Sequence, residues 1–218
     1  TKLRLREHAS PRYWQRTELS SQKSTLEATT SRPTHISIVG GGLAGLNCAY
    51  SLLQHGHRVT LIERAETLAH GASGNKQGGF YPHLTVDVNI TSQLYALSFL
   101  YAKRRYQSLH AQGFSFEHDN CGVLLLGFNE KQRERQQTLI ELQHWPDSLI
   151  HGVSQQEAQK IANLSLECGG LFMPGAGWIN PESLVQALAS ACQQYDTFKI
   201  HLSSPVTTFE KCDQGWHL

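Results

Sequence analysis

His35-Ile36-Ser37-Ile38-Val39-Gly40-Gly41-Gly42-Leu43-Ala44-Gly45 is the stretch on which the fold turns. Ile36, Ile38 and Val39 make a short apolar strand, and a glycine cluster follows it directly. Leu46, Ala49, Tyr50 and Leu53 then recur at i, i+3, i+4 and i+7, which predicts an amphipathic helix ended by Gly56. Val59, Leu61 and Ile62 form a second strand closed by Glu63. The order is β-α-β. Gly40-x-Gly42-x-x-Gly45 therefore sits between strand and helix, with an acid about 20 residues on, as a dinucleotide-binding turn requires. Gly40 allows the tight turn, Gly42 lets backbone approach a pyrophosphate, and Gly45 lets helix pack on strand. The helix N-terminus adds N–H groups and positive potential, and Glu63 suits a ribose 2′-hydroxyl rather than a 2′-phosphate. NAD, FAD and the nucleoside cofactor of some methyltransferases all satisfy this turn.

Upstream, residues 1–34 are polar, rich in Ser, Thr and Arg, and read as a linker or tail, within which Pro11-Arg12-Tyr13-Trp14 could dock on a neighbouring domain. Downstream, Ile90, Leu94, Leu97 and Tyr101 give a second helical stripe, with Lys103-Arg104-Arg105 near its end as a solvated face. Phe114 to Phe116 and Val123 to Phe128 read as strands around Asp119-Asn120, and Glu130 to His144 as a polar surface helix. Cys168 to Trp178 is glycine-rich and reads as irregular. Asn180-Pro181-Glu182 opens a helix with Asn as cap and Pro in its first turn, leading Leu184, Leu188 and Ala191 along one face. Phe198 to Leu202 and Val206 to Phe209 return as strands.

The 218 residues carry 19 Lys and Arg against 18 Asp and Glu, a net charge of +1, so no overall field draws the chain to nucleic acid or lipid. The five cysteines are an odd set without a C-x-x-C pair, which fits a reducing, cytoplasmic setting rather than a disulfide framework. No apolar run approaches the roughly 20 residues of a membrane span. The 12 histidines include no H-x-x-x-H or H-E-x-x-H pattern, and no metal site is expected. A first residue other than Met, and a last strand with no closing element, suggest a piece of a longer protein.

The segment after the second strand narrows the cofactor. Gly71-Ala72-Ser73-Gly74-Asn75-Lys76-Gln77-Gly78-Gly79 offers small residues whose backbone can lie against a phosphate or a flat ring, plus amides for a heterocycle edge. Lys76 could bind phosphate or carboxylate, or stand in solvent; Arg64 could lie over an adenine; His83 could touch ring or substrate, or be structural. The spacing fails that of a serine-hydrolase elbow.

Taken together, the glycine turn, Glu63-Arg64 and this loop resemble the D-amino-acid oxidase superfamily of flavoproteins. Gly169-Gly170-Leu171-Phe172-Met173-Pro174 through Leu184 is similar to the segment by which those enzymes leave the substrate domain, and Pro205-Val206-Thr207 to their adenine-contacting strand. Within the superfamily, the loop continued to Leu84, His118 to Val123, and Pro174 to Ile179 look like the FAD-dependent oxidoreductase domain of the bifunctional tRNA 5-methylaminomethyl-2-thiouridine biosynthesis (MnmC) family. The resemblance covers roughly residues 35 to 218.

It implies an α/β fold: a Rossmann-like FAD/NAD(P)-binding domain with an inserted α+β substrate domain, its C-terminal part missing. The implied parts are a linker at 1–34 after an absent methyltransferase domain, FAD-binding residues 35–110, substrate-domain residues 111–178 and an incomplete return at 179–218. The implied FAD contacts are Gly40, Gly42, Gly45, Glu63, Arg64, Ala72, Ser73, Asn75, Gln77, Gly78 and Val206, with no catalytic residue assigned. The implied reaction is oxidative removal of the carboxymethyl group from 5-carboxymethylaminomethyl-(2-thio)uridine in tRNA. A hydride leaves the carbon beside the amine for the flavin, and the imine hydrolyses. A linked domain would then methylate the amine with S-adenosylmethionine. A small-molecule amine or amino-acid oxidase acting on glycine or sarcosine, and a noncatalytic FAD-binding fragment, are the other readings.

Overall fold

The computed structural model describes residues 34–212 and 215–218; the tail and its Pro11-Arg12-Tyr13-Trp14 motif lie outside the described residues. Along the chain run β1 (His35–Val39), α1 (Leu43–Gln54), β2 (Arg58–Ile62), a single 3-10 turn (Ala72–Gly74), β3 (Gly78–Phe80), α2 (Ile90–Ala111), β4 (His118–Asp119) and β5 (Val123–Leu126). There follow α3 (Glu130–Leu142), β6 (His151–Val153), α4 (Gln155–Ala162), β7 (Gly170–Met173), β8 (Gly177–Ile179), α5 (Pro181–Cys192), β9 (Phe198–His201), β10 (Glu210–Cys212) and β11 (Gly215–His217). Two compact units emerge: Gly79–Lys103 with Asp119–Trp178, and residues 34–78 with Arg104–His118 and Ile179–Leu218. This division differs from the expected boundary at residue 110. Ala96 and Phe99 of α2 are buried in one cluster with Leu139, Trp145, Leu171 and Met173, which ties the first part of that helix to the strands that follow it.

In the unit holding the glycine turn, β1, β2 and β9 form a parallel sheet in that order, with Ile38 opposite Leu61 and Leu61 opposite Ile200. The β-α-β crossover expected from periodicity is present, and Leu46, Ala49, Tyr50 and Leu53 of α1 are buried. They meet α5, which buries Leu184, Val185, Leu188, Ala191 and Cys192. Each fully buried leucine contributes roughly 1.5–3 kcal/mol, so this layer is what holds α1 at a fixed height over the sheet. Asn180 caps α5 by accepting from Ser183 N at 3.1 Å, with Pro181 in the first turn. Burial pushes the Cys192 thiol up to about 12, against a smaller opposing effect of Arg105. At pH 8, iodoacetamide is therefore expected to label exposed Cys48, Cys121 and Cys212 but spare Cys192, as read by peptide mass spectrometry. Rapid labelling of Cys192 in the native protein would contradict that packing.

The other unit carries an antiparallel sheet ordered β5-β7-β6, with Leu125 opposite Leu171 and His151 opposite Phe172. Here the irregular reading of Cys168 to Trp178 is corrected, because both β7 and β8 lie in it. A Cβ on Gly170 would come 2.1 Å from Leu125 O, and one on Gly177 would come 1.9 Å from Asp119 O. The glycines mark close backbone approach between strands rather than loop. Asn129 caps α3 by accepting from Gln132 N, and Ser154 with Glu157 forms a capping box on α4.

Further expectations change. Phe114 to Phe116 is not a strand; its place is taken by β4. Val206 to Phe209 is likewise outside regular structure, and the closing hairpin pairs Glu210 with His217 and Lys211 with Trp216. The α2 stripe faces outward except at half-buried Leu97, with Ile90, Leu94 and Tyr101 84%, 62% and 56% exposed, while Ser92, Ala96 and Phe99 are buried. The solvated-face reading holds only for Arg104. Lys103 Nζ donates to Gly175 O at 2.8 Å, and Arg105 lies 4.7 Å from the Tyr50 ring centroid while donating to Asn47 O. Both cations replace water with neighbours in their own unit.

Candidate functional site

The first helix begins without a side-chain cap of its own, because Gly42 occupies its N-cap position. Ser73, 30 residues on, accepts the Leu43 N–H on its hydroxyl at 3.0 Å. Gly41 N donates to Glu63 Oε2 at 2.6 Å, and Ala65 N donates to Glu63 Oε1 at 2.9 Å. The backbone of Glu63 is pinned as well: its N–H donates to His201 O and its carbonyl accepts from Ser204 N. The carboxylate at the end of β2 is thereby held against the glycine turn at the end of β1.

Gly40, Gly41, Gly42, Glu63, Arg64, Ala69 to Gly71, Ala72 and Ser73 line one hollow of about 230 Å³. Gly40 has φ +111°, a conformation that favours glycine, and its N–H donates to Ile62 O at 2.8 Å. A Cβ on Gly42 would meet Ser73 Oγ at 2.9 Å, and one on Gly45 would lie 2.0 Å from Gly40 O. Gly42 thus keeps the wall of the hollow low, whereas Gly45 permits the close approach of α1 to the turn.

Of the eleven positions expected at the cofactor, Gly40, Gly42, Glu63, Arg64, Ala72 and Ser73 meet in this hollow, and Gly45 packs behind it. Asn75 is exposed and closes the 3-10 turn, donating from Nδ2 to Ala72 O at 3.1 Å. Gln77 is exposed, Gly78 packs against Pro181, and Val206 is half-buried; none of the four lines the hollow. Lys76 is engaged in an ion pair with Glu182, whose hydrogen bond raises the lysine pKa. Ala69 and His70 were not legible as wall residues. Ala69 takes φ +61° and donates from its N–H to Gly41 O at 3.0 Å, a contact that no side-chain pattern announces. Among the described residues no group of three or more His, Cys, Asp or Glu could hold a metal ion, and no helix is long and apolar enough to cross a membrane.

Burial raises the Glu63 pKa, but the Gly41 and Ala65 N–H groups and the Arg64 charge outweigh it and hold the carboxyl below its ordinary value. A depressed folded value means stability gained above the unfolded carboxylate range and lost as pH falls through the folded one. A neutral amide at 63 has one oxygen to serve two donors. The urea midpoint of Glu63→Gln should therefore fall below that of the wild type at pH 7, with the gap closing on acidification to pH 3. A gap independent of pH would show that the charge is not what stabilises the turn.

A parallel β-α-β with a glycine turn, an ionised acid at the second strand and a low-walled hollow at a helix N-terminus defines a dinucleotide-binding protein. Residues 35–218 match the FAD dependent oxidoreductase (DAO) family, and the chain belongs to that family. It is similar to the tRNA 5-methylaminomethyl-2-thiouridine biosynthesis bifunctional proteins MnmC of Pseudoalteromonas atlantica, 42% identical over 80% of this chain, and Shewanella pealeana, 36% identical over 92%. The chain spans only 24% and 31% of the length of those two relatives. Among solved structures, glycine oxidase from Bacillus cereus matches 81% of this chain and 49% of its own, with TM-score 0.67 and 19% identity, a likeness of fold. L-alpha-glycerophosphate oxidase from Mycoplasma pneumoniae, solved with FAD bound, matches 85% of this chain and 49% of its own, with TM-score 0.66 and 28% identity. The expected α/β fold and FAD as the family's cofactor stand on these matches.

Proposed function

We propose that the chain is the FAD-holding part of an oxidoreductase that modifies the tRNA wobble uridine in the cytoplasm, removing the carboxymethyl group of 5-carboxymethylaminomethyl-(2-thio)uridine to leave the 5-aminomethyl base. A methyltransferase domain using S-adenosylmethionine would be its covalent partner in the whole protein. The observation that carries the cofactor half is the hollow in which Glu63, Ser73 and Gly40 to Gly42 converge. The names of the relatives support the tRNA half.

When bound, FAD supplies the acceptor for the electrons of a C–H bond beside an amine. The protein's share is holding and orienting. Glu63, ionised at neutral pH, would accept from ribose hydroxyls, while Gly42 and the N-terminus of α1 would admit the pyrophosphate. Arg64, in the lining, would lie over the adenine, and Val206, outside the lining, would offer it backbone. Ala72 and Ser73 would add contacts from the loop within the hollow, while Asn75, Gln77 and Gly78, which do not line it, would have to meet the cofactor beyond it. The glycine-oxidase-like fold favours a second reading, in which a free amino acid such as glycine or sarcosine is oxidised. The test is anaerobic bleaching of flavin absorbance in the full-length protein. Undermodified tRNA is expected to bleach it, and free glycine or sarcosine is not; the reverse pattern would replace the first reading with the second.

A further inference from the structure

A second cavity, of about 480 Å³, lies within the unit of the β5-β7-β6 sheet, away from the glycine turn in sequence and in lining. Ligand sites are typically about 300–1,000 Å³, apolar, with a few convergent polar groups. Leu124, Leu126 and Leu171 supply apolar wall here. One face of α3 supplies the polar groups, since Gln132, Arg135 and Gln136 stand at i, i+3 and i+4 and all line the cavity. α3 is the polar surface helix expected from sequence, with Gln132 and Gln136 half-buried along the cavity and Arg135 exposed at its edge.

Three features of the lining are unspent. Gln132 Oε1 is buried with no hydrogen-bond partner, the only such side-chain atom among the described residues, and such an orphan destabilises the fold until a donor reaches it. Gln136 is already used, donating to Leu125 O at 2.9 Å. Arg135 is the only charged residue of the lining, and no carboxylate faces the cavity to neutralise it. At the mouth, Phe128 and Tyr81 are 69% and 45% exposed, large aromatic faces left to water.

We infer that this cavity is a binding subsite for one unpaired ribonucleotide. The base stacks on Phe128 against the leucine wall and donates a ring N–H to Gln132 Oε1, and its phosphate is met by Arg135. Stacking on an exposed aromatic, one amide read on the base edge and one cation for the phosphate is the chemistry by which single-stranded RNA is held. An apolar ligand would leave Gln132 orphaned, and an inorganic anion would leave the leucines and Phe128 unused. The inference rests on the tRNA reading above and adds a nucleotide-sized contact to it, separate from the flavin hollow.

The test is titration of the isotope-labelled full-length protein with uridine 5′-monophosphate, uridine and inorganic phosphate, followed by NMR. Uridine 5′-monophosphate is expected to shift the Leu124, Leu126 and Gln132 signals saturably, and uridine to do so at least about tenfold more weakly. Phe128→Ala and Arg135→Gln, both at exposed positions, should each weaken binding by about tenfold or more with the fold intact by circular dichroism. Gln132→Leu should weaken the base contact and leave the response to phosphate unchanged. No saturable shift, full reproduction of the shifts by phosphate alone, or indifference to all three variants would each overturn the proposal. Retention of FAD, measured in the same samples, separates the two hypotheses. Nucleotide failure with FAD retained removes the subsite alone, whereas nucleotide binding without FAD removes the flavin reading alone.

Discussion

Replacing Gly45 with alanine is expected to lower the thermal midpoint of the chain by several degrees and to abolish FAD retention with it. The added Cβ would lie 2.0 Å from Gly40 O and 3.2 Å from Gly40 C, both backbone atoms that cannot rotate away. Gly40 is itself fixed through its N–H to Ile62 O, so the helix must lift from the turn. Overpacking of this kind costs about 1–3 kcal/mol or more, and each kcal/mol is worth about 2–4 °C in a chain of this size. Gly71→Ala is the control, since its Cβ meets nothing within 4 Å and its backbone is not left-handed. Equal melting of Gly45→Ala and Gly71→Ala would show that α1 does not press on the turn as described.

Gly42→Val separates cofactor from fold. Its Cβ would meet only a side chain, Ser73 Oγ at 2.9 Å, and that hydroxyl can turn aside at the expense of its bond from Leu43 N. One lost hydrogen bond costs about 0.5–1.5 kcal/mol, so the melt should move little. The valine methyls, however, would enter the hollow where a pyrophosphate must approach. FAD affinity should fall by about a hundredfold or more, close to 2.7 kcal/mol, and the yellow colour should be lost on desalting. Unchanged flavin content in this variant would sink the assignment of Gly42.

The family-level reading is carried by residues of two kinds, and they were not equally legible. Gly40, Gly42, Gly45 and Glu63 are fixed by spacing along strand, turn and helix, where local geometry allows few alternatives. Ser73 was legible only through resemblance, and its use as a distant cap for α1 depends on a loop returning from 30 residues away. Lys76 stood between two roles until Glu182, 106 residues on, proved to be its partner. Arg105 and Lys103 looked like solvated cations because sequence shows neither the Tyr50 ring nor the Gly175 carbonyl.

By itself, the sequence determined the β-α-β unit, the buried faces of α1 and α5, the Asn180 cap and the acid at the end of β2. In each case the responsible interaction lies within one element or one turn, so periodicity and capping chemistry suffice. Only the tertiary structure decided that the stripe of α2 faces outward, that β7 and β8 replace an irregular glycine segment, and that a polar stripe of α3 lines a cavity with an orphaned amide oxygen. Those outcomes depend on which surface meets which. The same glycine that reads as a loop in isolation is demanded in a strand once another backbone passes within 2.1 Å of its missing Cβ.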